Sequence, residues 1–146
     1  MSNRQERLIK EATKRYRNPE AAIADGYLSS ETCVELPGVG GMGYHYVKPP
    51  LIDSTVDPTQ PEVLVYYRTK SGGKLRLGAV EYFVPDADQD PGTDSDRPYL
   101  FDHGFEGPMP GHEPGMPIHF DLHAWIYKDN PAGTLADWNP IVTCPA

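Results

Sequence analysis

Between Pro117 and Tyr127 the chain reads Pro-Ile-His-Phe-Asp-Leu-His-Ala-Trp-Ile-Tyr and alternates without a break. On an extended strand, His119, Asp121, His123, Trp125 and Tyr127 share one face. Ile118, Phe120, Leu122, Ala124 and Ile126 share the other. The apolar set must meet a core, because each large side chain left in water forfeits roughly 1.5–3 kcal/mol. The opposite set holds two imidazoles, a carboxylate, an indole and a phenol, with no Lys, Glu, Ser or Thr. Such a mixture suits a pocket with polar chemistry better than a solvated face.

Imidazoles and carboxylates can bind a metal or move protons. Spacing limits which of them cooperate. Residues two apart on a strand stand about 6.5–7 Å apart, and residues four apart about 13 Å. Asp121 can therefore work with His119 or with His123, but the two histidines cannot reach one ion from a flat strand. A metal site must recruit ligands from elsewhere. His45 lies in the extended run Tyr44–Val47, between glycines and prolines. Glu81 lies on the more apolar face of its strand, where an ionised carboxylate costs several kcal/mol unless something pairs with it. His45, Glu81 and His123, joined by His119, offer nitrogen and oxygen ligands suited to Zn, Fe, Mn, Ni or Cu. Asp121 is the candidate catalytic base or partner of a ligand. Phe83, His112, Trp125 and Tyr127 would shape the pocket.

The leading reading is a metal-binding protein, a small metal-dependent enzyme acting on a small organic molecule. One alternative is a metal-free isomerase, cyclase or hydratase using a His–Asp pair. Another is a non-catalytic barrel that holds a small ligand. Blander roles remain open for each residue: Glu81 at a wet strand end or paired with Lys74 or Arg76, and the histidines hydrogen-bonded on a partly exposed face.

The elements that must position these residues read as one α+β domain over 1–146. Sixteen prolines and fourteen glycines are too many for a helical bundle. Residues 3–25 predict a kinked helical segment. Ser2 and Gln5 form a capping box, Asn18-Pro19 restarts the helix, and Gly26 ends it. Leu8, Ile9, Ala12 and Tyr16 make its apolar stripe. This segment packs on a curved, mostly antiparallel sheet over 43–128 that closes towards a small barrel. Glu62–Arg68 and Lys74–Val84 form a hairpin about Ser71-Gly72-Gly73. In its return strand Leu75, Leu77, Ala79, Glu81 and Phe83 share a face. The loop 85–98 is acidic, and its alternating Asp residues lack the Gly and Glu placement of a calcium-binding loop; it reads as solvated. Residues 99–117 hold no clear element and form a lid or pocket wall. Gly38, Gly40, Gly41 and Gly43 lack the Lys-Ser/Thr ending of a phosphate loop. They read as a turn that lets backbone pass close to something.

Residues 1–17 hold six basic residues against Glu6 and Glu11, leaving seven basic residues against nineteen acids, or −12, in the rest. A body that acidic repels phosphate, which excludes nucleic acid as a partner and leaves a small molecule. The basic segment is expected to lie against the acidic body. No apolar run is long enough to span a membrane. The N-terminus lacks an apolar signal core, so the chain as written reads as cytoplasmic, and as exported if a leader has been removed. Cys33 and Cys144 are placed to form a disulfide tying the ends together, closing a loop of about 110 residues worth roughly 4–5 kcal/mol.

Gly43-Tyr44-His45-Tyr46, Val80-Glu81-Tyr82, Leu122-His123-Ala124-Trp125 and Asn130-Pro131-Ala132-Gly133 through Asn139-Pro140 together resemble a family of small uncharacterised bacterial and archaeal proteins, many of them exported. The resemblance spans nearly the whole chain. It implies that His45, Glu81 and His123 belong to shared motifs and it tilts localisation towards export. It brings no activity with it.

Overall fold

The computed structural model describes residues 1–111 and 115–145. The chain enters its fold through a capping box: the Gln5 amide donates to Ser2 Oγ at 3.1 Å and the Ser2 amide donates to Gln5 Oε1 at 2.9 Å. Helix α1 (Asn3–Thr13) passes into a 3-10 turn at Lys14–Arg17, and α2 (Pro19–Ala24) restarts behind the Asn18 cap. The buried stripe is Ile9, Thr13 and Tyr16, while Leu8, expected on it, is 46 % exposed. Those three follow the i, i+4, i+7 spacing of one helical face, and Leu8 stands one residue off it. Thr13 is buried without penalty because its hydroxyl meets both the Ile9 carbonyl and the Tyr127 hydroxyl. Among the described residues no salt bridge joins the basic residues of 1–17 to an acid of the sheet, although Arg17 lies over the Tyr127 ring. Lys14 pairs with Glu11 and Arg15 with Asp25, both within the helical segment.

The helices cover one face of an antiparallel sheet curled into a half-barrel. Its strands are β1 (Cys33–Leu36), β2 (Gly40–Val47), β3 (Val63–Tyr67), β4 (Arg76–Pro85), β7 (Glu106–Met109) and β8 (His119–Ala124), in the order β1-β2-β3-β4-β8-β7. A separate ribbon pairs β5 (Tyr99–Leu100) with β6 (His103–Gly104). The sheet thus begins earlier than expected, at Cys33. The stretch 99–117, read as featureless, supplies three short strands. Their alternation is too brief to show above Gly and Pro content.

The sheet separates two apolar layers. Tyr46, Leu64, Tyr66, Val80, Tyr82, Phe120 and Leu122 meet the helices; Met42, Val63, Val65, Ala79, Phe83 and Trp125 lie on the far side. One irregularity decides the phase of β4. Val65 stands opposite Ala79 and Tyr66 opposite Leu77, which leaves Gly78 as an extra residue. This bulge reverses the alternation. Leu77 and the partly buried Leu75 pack towards the helices, whereas Ala79, Glu81 and Phe83 face the other way. The expected five-residue face is therefore split at Gly78.

The glycine run admits a C-terminal strap. Gly41 and Asn139 exchange backbone hydrogen bonds of 3.0 and 2.9 Å. A Cβ on Gly41 would lie 2.5 Å from the Val142 carbonyl oxygen, and one on Gly40 2.5 Å from that of Asn139. A disulfide between Cys33 and Cys144 clamps the strap to β1. Gly41→Ala is expected to destabilise the protein by about 1–3 kcal/mol, since backbone must move to admit the methyl. Urea unfolding measures this, and a change below about 0.5 kcal/mol would mean the strap yields freely.

Candidate metal centre

The far face of the sheet opens into a cavity of about 680 Å³. Val34, Met42, Val47, Ile52, Val63 and Phe83 form apolar walls, and Gly115, Met116 and Pro117 form a rim. His45, Glu81, His119, Asp121 and His123 supply the ionisable part of its lining.

Strand register brings the key residues together. Glu81 of β4 is directly opposite His123 of β8. His45 of β2 lies opposite Val65 of β3, beside the Val63 that pairs with Glu81. Its imidazole therefore reaches across a valine-bearing strand to the same carboxylate. His45 Nε2 is 3.2 Å and His123 Nε2 2.9 Å from one oxygen, Glu81 Oε1. One ligand atom from each residue lies within 4.8 Å of the other two. Despite these distances, Glu81 Oε1 and His123 Nε2 are buried and neither makes an aligned hydrogen bond among the described residues. Ligand atoms about 2.0–2.2 Å from one ion stand roughly 3 Å apart around it. The spacing fits a set of donors aimed at a common point.

His123 is oriented from behind. Its Nδ1 lies 3.3 Å from Asp137 Oδ1. A carboxylate on one ring nitrogen holds the tautomer that frees the other nitrogen to act as ligand. Asp137 had no signal in sequence, since it lies in the turn-rich Ala-Asp-Trp-Asn-Pro stretch. Trp125 positions that stretch: its indole N–H donates to the Ala136 carbonyl at 2.8 Å and its amide to the Thr134 carbonyl at 2.8 Å.

His119 lies outside the group of three. Its Nε2 is 3.1 Å from Asp121 Oδ2, its Nδ1 is 3.1 Å from the Pro117 carbonyl, and its ring stacks on Phe83 with centroids 4.3 Å apart. Asp121, His123 and Asp137 make a second, overlapping group of donors. Asp121 Oδ1 is buried without a hydrogen-bond partner among the described residues.

Two expected pocket residues are placed elsewhere. Trp125 is buried beside the cavity but does not line it. Tyr127 turns to the helix side, where its hydroxyl meets Thr13 Oγ1 at 2.7 Å. The cause is local. The Ile126 amide bonds to the Ala124 carbonyl two residues back, a tight turn that ends the strand and its alternation. His112 lies outside the described residues.

Burial and charge oppose each other in this floor. Burial favours protonated Glu81, but the His123 charge and the two close imidazoles hold it well below the usual carboxylate range. Burial likewise acts against charged His123, yet Glu81, Asp137 and Asp121 raise its pKa well above normal. Burial raises Asp121, partly offset by its contact with His119.

No family model, curated protein or solved structure matches the chain. The chemistry of the site is therefore argued from its own geometry.

One further buried acid was not apparent in sequence, because a Glu at a strand's start usually meets water. Glu62 is 2 % exposed, and its Oε1 accepts the Phe83 amide at 2.8 Å. Burial pushes its pKa up to about 8. Between about pH 4.5 and 8 the folded state keeps a proton that the unfolded chain has released, so this group lowers stability as pH rises through that window. Glu62→Gln is neutral and keeps the acceptor. It is expected to stabilise the protein by about 1–3 kcal/mol near pH 8.5 and by much less near pH 4.5. Calorimetric Tm values at both pH values check this, and equal gains would contradict it.

Proposed function

We propose that His45, Glu81 and His123 hold one divalent transition metal, and that the protein is a small metal-dependent enzyme acting on a small organic molecule in the adjoining cavity. The observation that carries this reading is the convergence of three ligand atoms from three strands, with Glu81 Oε1 and His123 Nε2 2.9 Å apart yet without a hydrogen bond. Two imidazoles and one carboxylate suit Zn, Fe, Mn, Ni or Cu and leave coordination positions open. A metal so held supplies Lewis acidity or an activated water. Asp137 fixes the His123 ring, and the His119–Asp121 pair beside the ligands is placed to take or give a proton. The apolar walls favour a substrate that is largely apolar and carries a polar group towards the floor. The reading extends to the motif family that the sequence resembles, whose motifs contain all three ligands.

The test is metal content. Protein purified without a histidine tag is expected to carry about one equivalent of a transition metal, removed by chelators with loss of any activity found. Sub-stoichiometric metal, unaffected by chelators, would reject the centre.

A second reading rests on His119. Its ring is held between the Pro117 carbonyl and Asp121, an arrangement that suits metal-free proton transfer. Activity that survives chelation and is lost in Asp121→Asn would favour it. Ligand binding unchanged in His123→Ala and Glu81→Ala would instead favour a non-catalytic carrier.

The Cys33–Cys144 disulfide supports an oxidising compartment, as an exported protein meets. Among the described residues no helix is long and apolar enough to cross a membrane.

A further inference from the structure

A second group of oxygen donors lies away from the cavity floor, at the root of the acidic loop. One carboxylate oxygen from each of Asp86, Asp88 and Asp96 falls within 4.8 Å of the other two. Exposed acids cluster often without consequence, but Asp86 is not exposed. It follows β4 directly and is 2 % accessible, and both its oxygens are buried without a hydrogen-bond partner among the described residues. An ionised carboxylate in that state is costly unless a cation meets it. Among the described residues no protein cation does so. Arg97 is the sole basic residue of the loop 85–98, and its guanidinium is committed to Asp94 and to the Phe105 and Gly107 carbonyls. Among the described residues, no salt bridge reaches Asp86, Asp88 or Asp96.

We propose that Asp86, Asp88 and Asp96 bind a calcium ion. Three carboxylates offer up to six hard oxygen ligands and no nitrogen, which favours calcium over the metals suited to the histidine site. Burial, together with the facing Asp96 and Asp88 carboxylates, pushes Asp86 up to about 6.

The site has a structural consequence. The Asp86 amide donates to the Ile118 carbonyl at 2.8 Å. The Gln89 side chain bridges the Asp86 carbonyl to both backbone groups of Ile118. Ile118 adjoins His119 and the cavity rim at Pro117. An ion that gathers Asp88 and Asp96 onto Asp86 therefore fastens the loop to the strand end beside the pocket.

The test is calcium titration of protein stripped of metal on a chelating resin, followed by calorimetry and thermal unfolding. Wild type is expected to bind one calcium with Kd of about 10⁻⁴–10⁻³ M, and its Tm to rise by a few degrees at about 10 mM calcium. Asp86→Asn is expected to bind at least tenfold more weakly and to lose that rise. In calcium-free buffer it should melt at or above wild type, because the amide relieves carboxylate repulsion. Asp96→Asn should weaken binding similarly. Asp90→Asn, whose parent carboxylate accepts the Gly92 amide instead, should bind as wild type. Transition-metal content should be unchanged in all three variants, so the two sites fail or stand separately. Absence of any calcium-dependent Tm rise in wild type would overturn the proposal. So would a full rise in either Asp86→Asn or Asp96→Asn.

Discussion

Glu81→Gln is expected to weaken transition-metal binding by roughly 100-fold or more, because it removes the one charged ligand of the three. The amide retains the size of the carboxylate, so the cavity keeps its shape. What changes is charge: both imidazoles converge on Glu81 Oε1, and a neutral amide cannot offset a dication held between them. The metal-free variant should also be less stable than metal-free wild type near neutral pH, by about 3–5 kcal/mol at most, since the charged His123 ring loses its strongest partner. Competition against a chromophoric chelator measures the first effect and urea unfolding the second. His45→Ala and His123→Ala should weaken binding comparably. Asp137→Asn, at the residue whose carboxylate faces the far nitrogen of the His123 ring, should cost about 10–100-fold. Wild-type affinity in Glu81→Gln would place the metal elsewhere.

Cys33→Ser combined with Cys144→Ser is expected to cost about 4–5 kcal/mol, the chain-entropy value for a link spanning 111 residues. Beside the disulfide, the Cys144 amide donates to Glu35 Oε2 at 3.0 Å. Residues 139–142 rest on β2 through the two Gly41–Asn139 backbone bonds and buried Val142. The same strap follows Asp137, so its loosening should also reduce metal affinity, though less than loss of a ligand. Denaturant unfolding of the oxidised protein and the double variant gives the number. A difference below about 1 kcal/mol would mean that the unfolded chain is scarcely constrained by the link.

Local signals in the sequence were legible wherever one segment sufficed. The Ser2–Gln5 box and the Asn18-Pro19 restart appear where side chain and backbone are neighbours. The hairpin between β3 and β4 formed about its predicted turn. Two cysteines at opposite ends found each other. The separation of His119 from His123 along one strand kept His119 out of the triad, as strand geometry requires. The close passage at Gly40 and Gly41 was legible from the glycines, though not that the C-terminal strap fills it; the phase of β4 was not. Gly78 inverts the phase of β4, and in Leu75–Phe83 only the glycine itself marks the spot, since the alternation runs through it unbroken. Tyr127 leaves its face because a tight turn at Trp125 ends the strand.

The sequence by itself determined which side chains share a face of β8 from His119 to His123, because a period of two is built into extended backbone. It also singled out Glu81 as a carboxylate in need of a partner and His45 as a candidate ligand. Only the tertiary structure decided that these residues meet. That outcome depends on the register of β2 on β3, β3 on β4 and β4 on β8, and on one extra residue at Gly78. Register is a property of strand pairs far apart in the chain, set by the joint packing of both apolar layers, and no single segment carries it. For the same reason Asp137, which reaches His123 from beyond the sheet, became visible only once the strap was in place.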